Sequence, residues 1–350
     1  MTATQPEINA GQDNIGKITS FLRGLFGNQE TVLLVALLVL IIYTGSVNDR
    51  FFGTRNLVNM LNGNAYIAVA AIGMTMVIIT GNIDISVGSL IVVLSILSGH
   101  LSIFSYPEWV STDVAIMLSW IVPIFAGAGV GAIIGFIVTY LRVPAIVVTL
   151  GFLSILKGLM ITVTNGERVT GMPAGYELAQ MKPLESAAFL PELMQGLTMP
   201  IYLAVILTII AAIWMRYSPT GRAIYAVGGN SEAARLSGIN EHRIVMTVFI
   251  LNGVFVGIAS VLFATQLSVI QTTVPPIELT IITATVVGGV SILGGTGTVI
   301  GPLLAAIMLS TIAKSLVFLD ISPFWTKSIQ GVLILVTVLI DLLRRSRNTN

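Results

Sequence analysis

The sequence contains no cysteine, only two histidines and few charges, with Asp, Glu, Lys and Arg together making up 9% of 350 residues. Without cysteine there is no disulfide framework, thiol nucleophile or Cys-based zinc site. His100 and His242 stand in no HExxH and no triad spacing, so metal-dependent hydrolysis is not expected. No GxxxxGK[ST] occurs, so any ATP hydrolysis must come from another subunit. The charged coat of a water-soluble domain is missing as well.

What is present is apolar: 55% of the residues are hydrophobic and the mean hydropathy is +0.94. A helix that crosses about 30 Å of hydrocarbon needs roughly 20 apolar residues. About ten runs approach that length, near 30–47, 57–80, 87–104, 115–141, 145–164, 198–216, 244–266, 278–293, 298–318 and 325–343. The expected fold is an all-α integral membrane protein with about ten transmembrane helices. Its parts are an N-terminal tail over 1–29, a membrane domain over 30–343 and a C-terminal tail over 344–350. The N-terminal tail lacks a basic region running directly into a cleavable apolar segment, so the first span is expected to be retained.

Lys and Arg placement sets the expected orientation. With the N-terminus inside, the inner segments hold Lys17, Arg23, Arg142, Arg216, Arg222, Arg235, Arg243, Arg344, Arg345 and Arg347, and the outer loops only Arg50, Arg55, Arg168 and Lys182. This positive-inside bias puts both termini in the cytoplasm. Residues 165–197 then form an outer loop, rich enough in Pro, Gly and acids to make short surface helices that meet a soluble partner. Residues 217–243 form the longest inner loop.

Two stretches, VIITGNIDISVGSLIVVLSIL (77–97) and VVGGVSILGGTGTVIGPLLAAIML (286–309), each run from an apolar helix through a glycine-rich break into another. Five spans per half would invert the second half and give an inverted repeat of two five-helix halves, although these stretches are not at equivalent places in the two halves. The glycines of GAGVGAIIG (127–135) mimic a dinucleotide fingerprint, but Gly127, Gly131 and Gly135 are four apart inside an apolar run, a spacing for close helix packing. No cofactor, resident metal or nucleic-acid partner is expected.

Asp84, in ITGNIDISVGS, is a carboxylate at a helix break, costly in a membrane unless it faces backbone donors, a partner or a cavity. It can cap the third span through the amides near Ser86 to Gly88, or line a solute route, or both. Asn62, Asn64 and Asn82 offer neutral donors and acceptors to a hydroxylated solute. Lys157 either snorkels to the interface or guards the outer mouth of a pathway. Asn252 and Gln266 suit a bond to a neighbouring helix or to a sugar. In the inner loop, Asn230 reads as an N-cap, Glu232 fits a first turn and Gly238 reads as a stop, giving a helix of about seven residues that needs docking to persist. Ala233 and Leu236 suit a groove, and Glu232 and Arg235 its edge.

Four segments, GRAIYAVGGNSEAARLSGIN (221–240), GNIDISVGS (81–89), VVGGVSILGGTGTVIG (286–301) and TLGFLSILKG (149–158), resemble the membrane permeases of bacterial ABC importers for monosaccharides, a group that includes the ribose and autoinducer-2 permeases. The resemblance runs over the whole chain beyond about residue 28. It implies a bacterial inner-membrane location, a second permease subunit, identical or not, a tandem ATPase inside and a periplasmic solute-binding protein outside. It also implies that residues 229–240, from Gly229 and Asn230 onward, contain the helix that couples to the ATPase, and that the glycine-rich segments shape the pathway. The side chains read above, Asn62, Asn64, Asn82, Asp84, Ser86, Lys157, Asn252 and Gln266, are the candidates for lining it. Three positions depart from the pattern: Lys157 replaces an arginine, Thr280 an aspartate, and GGTG a GGKG. The expected function is solute translocation by alternating access, with no catalysis in this chain. The competing reading is a self-sufficient secondary transporter that uses Asp84 or Lys157 for ion coupling.

Overall fold

The computed structural model describes residues 29–187, 190–267, 269–272 and 276–348, with side chains described up to residue 343. Fourteen α-helices are described: α1 Gln29–Val47, α2 Thr54–Gly63, α3 Ala65–Ile79, α4 Val87–Ile103, α5 Thr112–Thr139, α6 Ala145–Thr164, α7 Glu192–Gln195, α8 Met199–Tyr217, α9 Pro219–Gly229, α10 Ser231–Leu236, α11 Glu241–Thr265, α12 Glu278–Val287, α13 Ile300–Phe318 and α14 Trp325–Asn348. Residues 1–28 of the expected N-terminal tail lie outside the described residues. At the other end, α14 continues as helix through the start of the expected C-terminal tail.

Eight stretches are long and apolar enough to cross a membrane, and α4 and α12 are shorter apolar helices, so the ten expected hydrophobic segments are all helical. Two expected boundaries shift. The eighth run ends as helix at Val287, because the Gly288–Gly289 pair follows and Gly289 has φ 99°, a left-handed conformation that a helix cannot continue. The second run bends at Asn64, which ends α2 and begins α3.

The core lies around α3. Its span is 83% buried, against 6% for α14, so α3 is a central helix and α14 a peripheral one. Phe125, Ile155, Ile213 and Leu335 point outward from the bundle, which suits contact with lipid chains. Close approach at the centre depends on small residues: a Cβ on Gly127 would collide with Gly253 O, and one on Gly131 with Phe249 O. The GAGVGAIIG run is therefore the seam between α5 and α11, as its spacing predicts.

The short helices α4 and α12 are each third among five hydrophobic segments in their half of the chain. Their N-terminal ends meet, since a Cβ on Gly88 would strike the Glu278 side chain and come 2.6 Å from Glu278 N. The expected outer loop contains the turn Leu178–Gln180 and the short α7. It is tied down by Tyr176 Oη with Ser98 Oγ at 2.9 Å, by Ala179 N donating to Thr265 Oγ1 at 3.1 Å, and by an antiparallel bridge between Val169 and Ile270.

Candidate transport and coupling site

Asp84 is 1% exposed. Its Oδ1 accepts from Ser86 N at 2.9 Å and from Ser86 Oγ at 2.6 Å, and its Oδ2 from Asn252 Nδ2 at 2.7 Å. Of the amides near Ser86 to Gly88, only that of Ser86 binds the carboxylate, because an acid two residues ahead of a backbone N–H closes a tight side-chain turn. The third bond crosses to α11 and ties the break over 80–86 to the long central helix. Asn252 sits where α11 crosses Gly73 of α3: a Cβ on Gly73 would lie 2.7 Å from Asn252 Oδ1. That oxygen has no hydrogen-bond partner among the described residues.

The remaining pathway candidates are not gathered at this point. Asn62 Oδ1 accepts from Thr198 N at 3.2 Å, at the start of α8. Asn62 and Asn64 lie beyond the far end of α3, whose 15 residues measure about 22 Å at 1.5 Å per residue. Gln266 caps the C-terminus of α11, about 21 Å along the axis from Asn252 by the same rise. Asn82 is close to Asp84 in sequence and donates to Thr80 Oγ1 at 3.0 Å. It borders a surface cleft with Arg142, Arg235 and His242.

Lys157 pairs with Glu278, Nζ to Oε1 at 3.7 Å. Glu278 is 7% exposed, opens α12 and presses on Gly88 near the start of α4. Two carboxylates, Asp84 and Glu278, thus stand where two helix N-termini converge, offsetting their aligned N–H dipoles. In the sequence Glu278 is inconspicuous, because a Glu at a helix start is ordinary surface patterning. The signal that marks it is a carboxylate opening an apolar segment, opposite a lysine in another.

The expected coupling helix forms as α10, six residues long. Asn230 Oδ1 accepts from Ala233 N at 2.9 Å, and Gly238, at φ 84°, ends the turn. Ala234 is buried, while Ala233 is exposed and Leu236 is 79% exposed. Glu232 and Arg235 form an exposed pair at 2.7 Å, a contact of little weight in water. The helix is thus anchored through Ala234, and its exposed side carries Leu236 beside the Glu232–Arg235 pair.

Preceding it, α9 begins with Pro219 at its first turn and Ser218 Oγ accepting from Gly221 N at 2.8 Å. Its last turn lies against both glycine-rich breaks. Gly228 lies directly on Ile79 O, where no Cβ fits, and such a Cβ would also be 2.7 Å from Gly295 N. Gly295 N itself donates to Ile79 O at 2.8 Å. Tyr225 Oη donates to Gly297 O at 2.9 Å, and burial raises its pKa above the ordinary phenol value, so the donor keeps its proton at neutral pH. The 288–299 segment also reaches the first and last spans: Thr298 Oγ1 donates to Glu30 Oε1 at 2.7 Å, and Ser291 Oγ to Asp341 Oδ2 at 2.5 Å. The last turn of α9 is therefore in contact with the end of α3 and with the 288–299 segment, which in turn is bonded to α1 and α14.

The chain matches the family described as "Branched-chain amino acid transport system / permease component" over residues 56–338. It belongs to that family of ABC importer permeases. Autoinducer 2 import system permease proteins LsrC are similar along nearly their whole length. That of Yersinia enterocolitica is 33% identical over 93% of this chain and 86% of its own, and that of Photorhabdus laumondii is 32% identical over 91% of each. No solved structure matches. As a member of the family, the chain is a multi-pass permease of the bacterial inner membrane, from a class that works with ATPase and binding-protein partners.

Proposed function

We propose that this permease imports a small polyhydroxylated solute, a monosaccharide such as ribose or autoinducer 2, by alternating access. In this reading α9–α10 face the cytoplasm with both termini, and the 165–197 loop faces the periplasmic binding protein. Two permease subunits, identical or not, enclose the pathway. The observation that carries the reading is the contact of Gly228 with both Ile79 O and the 288–299 segment. Through it, force on α10 reaches two non-helical breaks in the membrane domain, which are the places where a helix bundle can re-pack. The autoinducer 2 import role named for the LsrC relatives supports autoinducer 2 as a candidate cargo.

Ion coupling through Asp84 or Lys157 has less support. Asp84 is held by three hydrogen bonds and Lys157 by Glu278, roles that fit structure. The deciding experiment is uptake of labelled pentoses, hexoses, polyols and autoinducer 2 in a strain lacking this gene, complemented with and without the partner ATPase gene. Uptake that vanishes with the ATPase gene is expected. Uptake that persists without it would make the chain a self-sufficient carrier.

A further inference from the structure

A cavity of about 340 Å³ lies in the half of the bundle away from α9–α10, where α3, α11, α12, α13 and α14 meet. Its volume is within the range of about 300–1,000 Å³ common for small-molecule sites. Two aromatic rings stand on its wall, Tyr66 and Phe263, with centroids 5.0 Å apart. Around them are the neutral side chains of Thr280 and Gln330, together with Asn64, whose amide is engaged with the backbone at Ala306 O. Gln330 is 7% exposed, yet its Oε1 has no hydrogen-bond partner among the described residues. A buried amide oxygen without a donor is unfavourable unless something supplies one.

The one charged side chain on the wall is Lys327, which is exposed on the open side of the pocket. It donates to Thr280 Oγ1 at 3.3 Å, and no carboxylate is within ion-pair distance of it among the described residues. An ammonium carries three donors, so at least two remain for a ligand. Aromatic faces suit the C–H face of a sugar-like skeleton, amides and a hydroxyl suit its hydroxyls, and an otherwise unpaired ammonium suits an anion.

Resting on the ATP-driven importer reading but replacing its neutral sugar by a sugar acid, we infer that this cavity is a solute subsite within the permease and that it takes a polyhydroxylated monocarboxylate. The carboxylate sits against Lys327, a hydroxyl donates to Gln330 Oε1, and the carbon chain lies on Tyr66 and Phe263. The subsite then selects an acidic solute over a neutral polyol of the same skeleton.

The absence of cysteine makes a clean test available. Ala313→Cys puts a single thiol on the cavity wall, and its maleimide labelling rate is measured in membranes that contain the full transporter. The probes are D-ribonate, D-xylonate and D-gluconate at 10 mM, with ribitol, xylitol and D-glucitol as their neutral counterparts. At least one aldonate is expected to slow labelling about fivefold or more while its alditol changes it less than twofold. Lys327→Met on the same background is expected to remove that difference, and Lys327→Arg to restore it. Equal protection by acid and alditol, or no protection by any aldonate, would overturn the inference. Neither result bears on ATPase-dependent uptake, which separately tests the importer reading.

Discussion

At the scale of single residues, Asp84 is the centre of a small polar knot in an apolar bundle. A hydrogen bond to a charged group contributes about 1.5–3 kcal/mol, and Asn252 supplies one from another helix. Asn252→Leu leaves the carboxylate with only Ser86 as its partner. The purified protein is expected to lose several degrees of melting temperature and much of its uptake while still inserting. Asp84→Asn keeps the shape of the turn and is expected to be milder than Asp84→Ala, which loses all three bonds. Equal uptake for Asp84→Ala and the natural protein, at equal membrane abundance, would leave the knot without a role.

At the scale of elements, the junction of α9 with the two breaks depends on the missing side chain of Gly228. Gly228→Val cannot be seated without separating α9 from Ile79 O and Gly295 N. It is expected to leave the exposed face of α10 intact, so an ATPase still binds, but to cut uptake at least tenfold. Tyr225→Phe removes one neutral hydrogen bond, about 0.5–1.5 kcal/mol, and is expected to lower uptake only a few fold. Uptake and ATPase co-purification on the same membranes check both. Much of this level was legible in the sequence. Apolar run length located all ten hydrophobic helices, and the Asn230 cap with Gly238 located α10. The contact of Gly228 with Ile79 and Gly295 was not legible, because it joins three segments far apart in the chain and leaves no local periodicity. The same holds for Glu278, whose partner Lys157 is on a different helix. Asn62 and Asn64 offer the same neutral chemistry as Asn82, but the length of α3 sets them apart from Asp84.

At the scale of the whole molecule, α10 and the 165–197 loop stand at opposite ends of the bundle and are joined through it. Glu177 and Glu185 are exposed on that loop, so photo-crosslinkers placed there are expected to capture a periplasmic binding protein. Capture confined to the α10 end would invert the orientation. The central claim is that force enters through α10, and one double substitution tests it most directly. Arg235→Glu with Leu236→Asp reverses a charge and places another on a face that is already exposed, so folding and insertion are expected to be unchanged. Pull-down of the ATPase and solute uptake are then measured on the same membranes. The account predicts that both are lost together, and full uptake with no bound ATPase would contradict it.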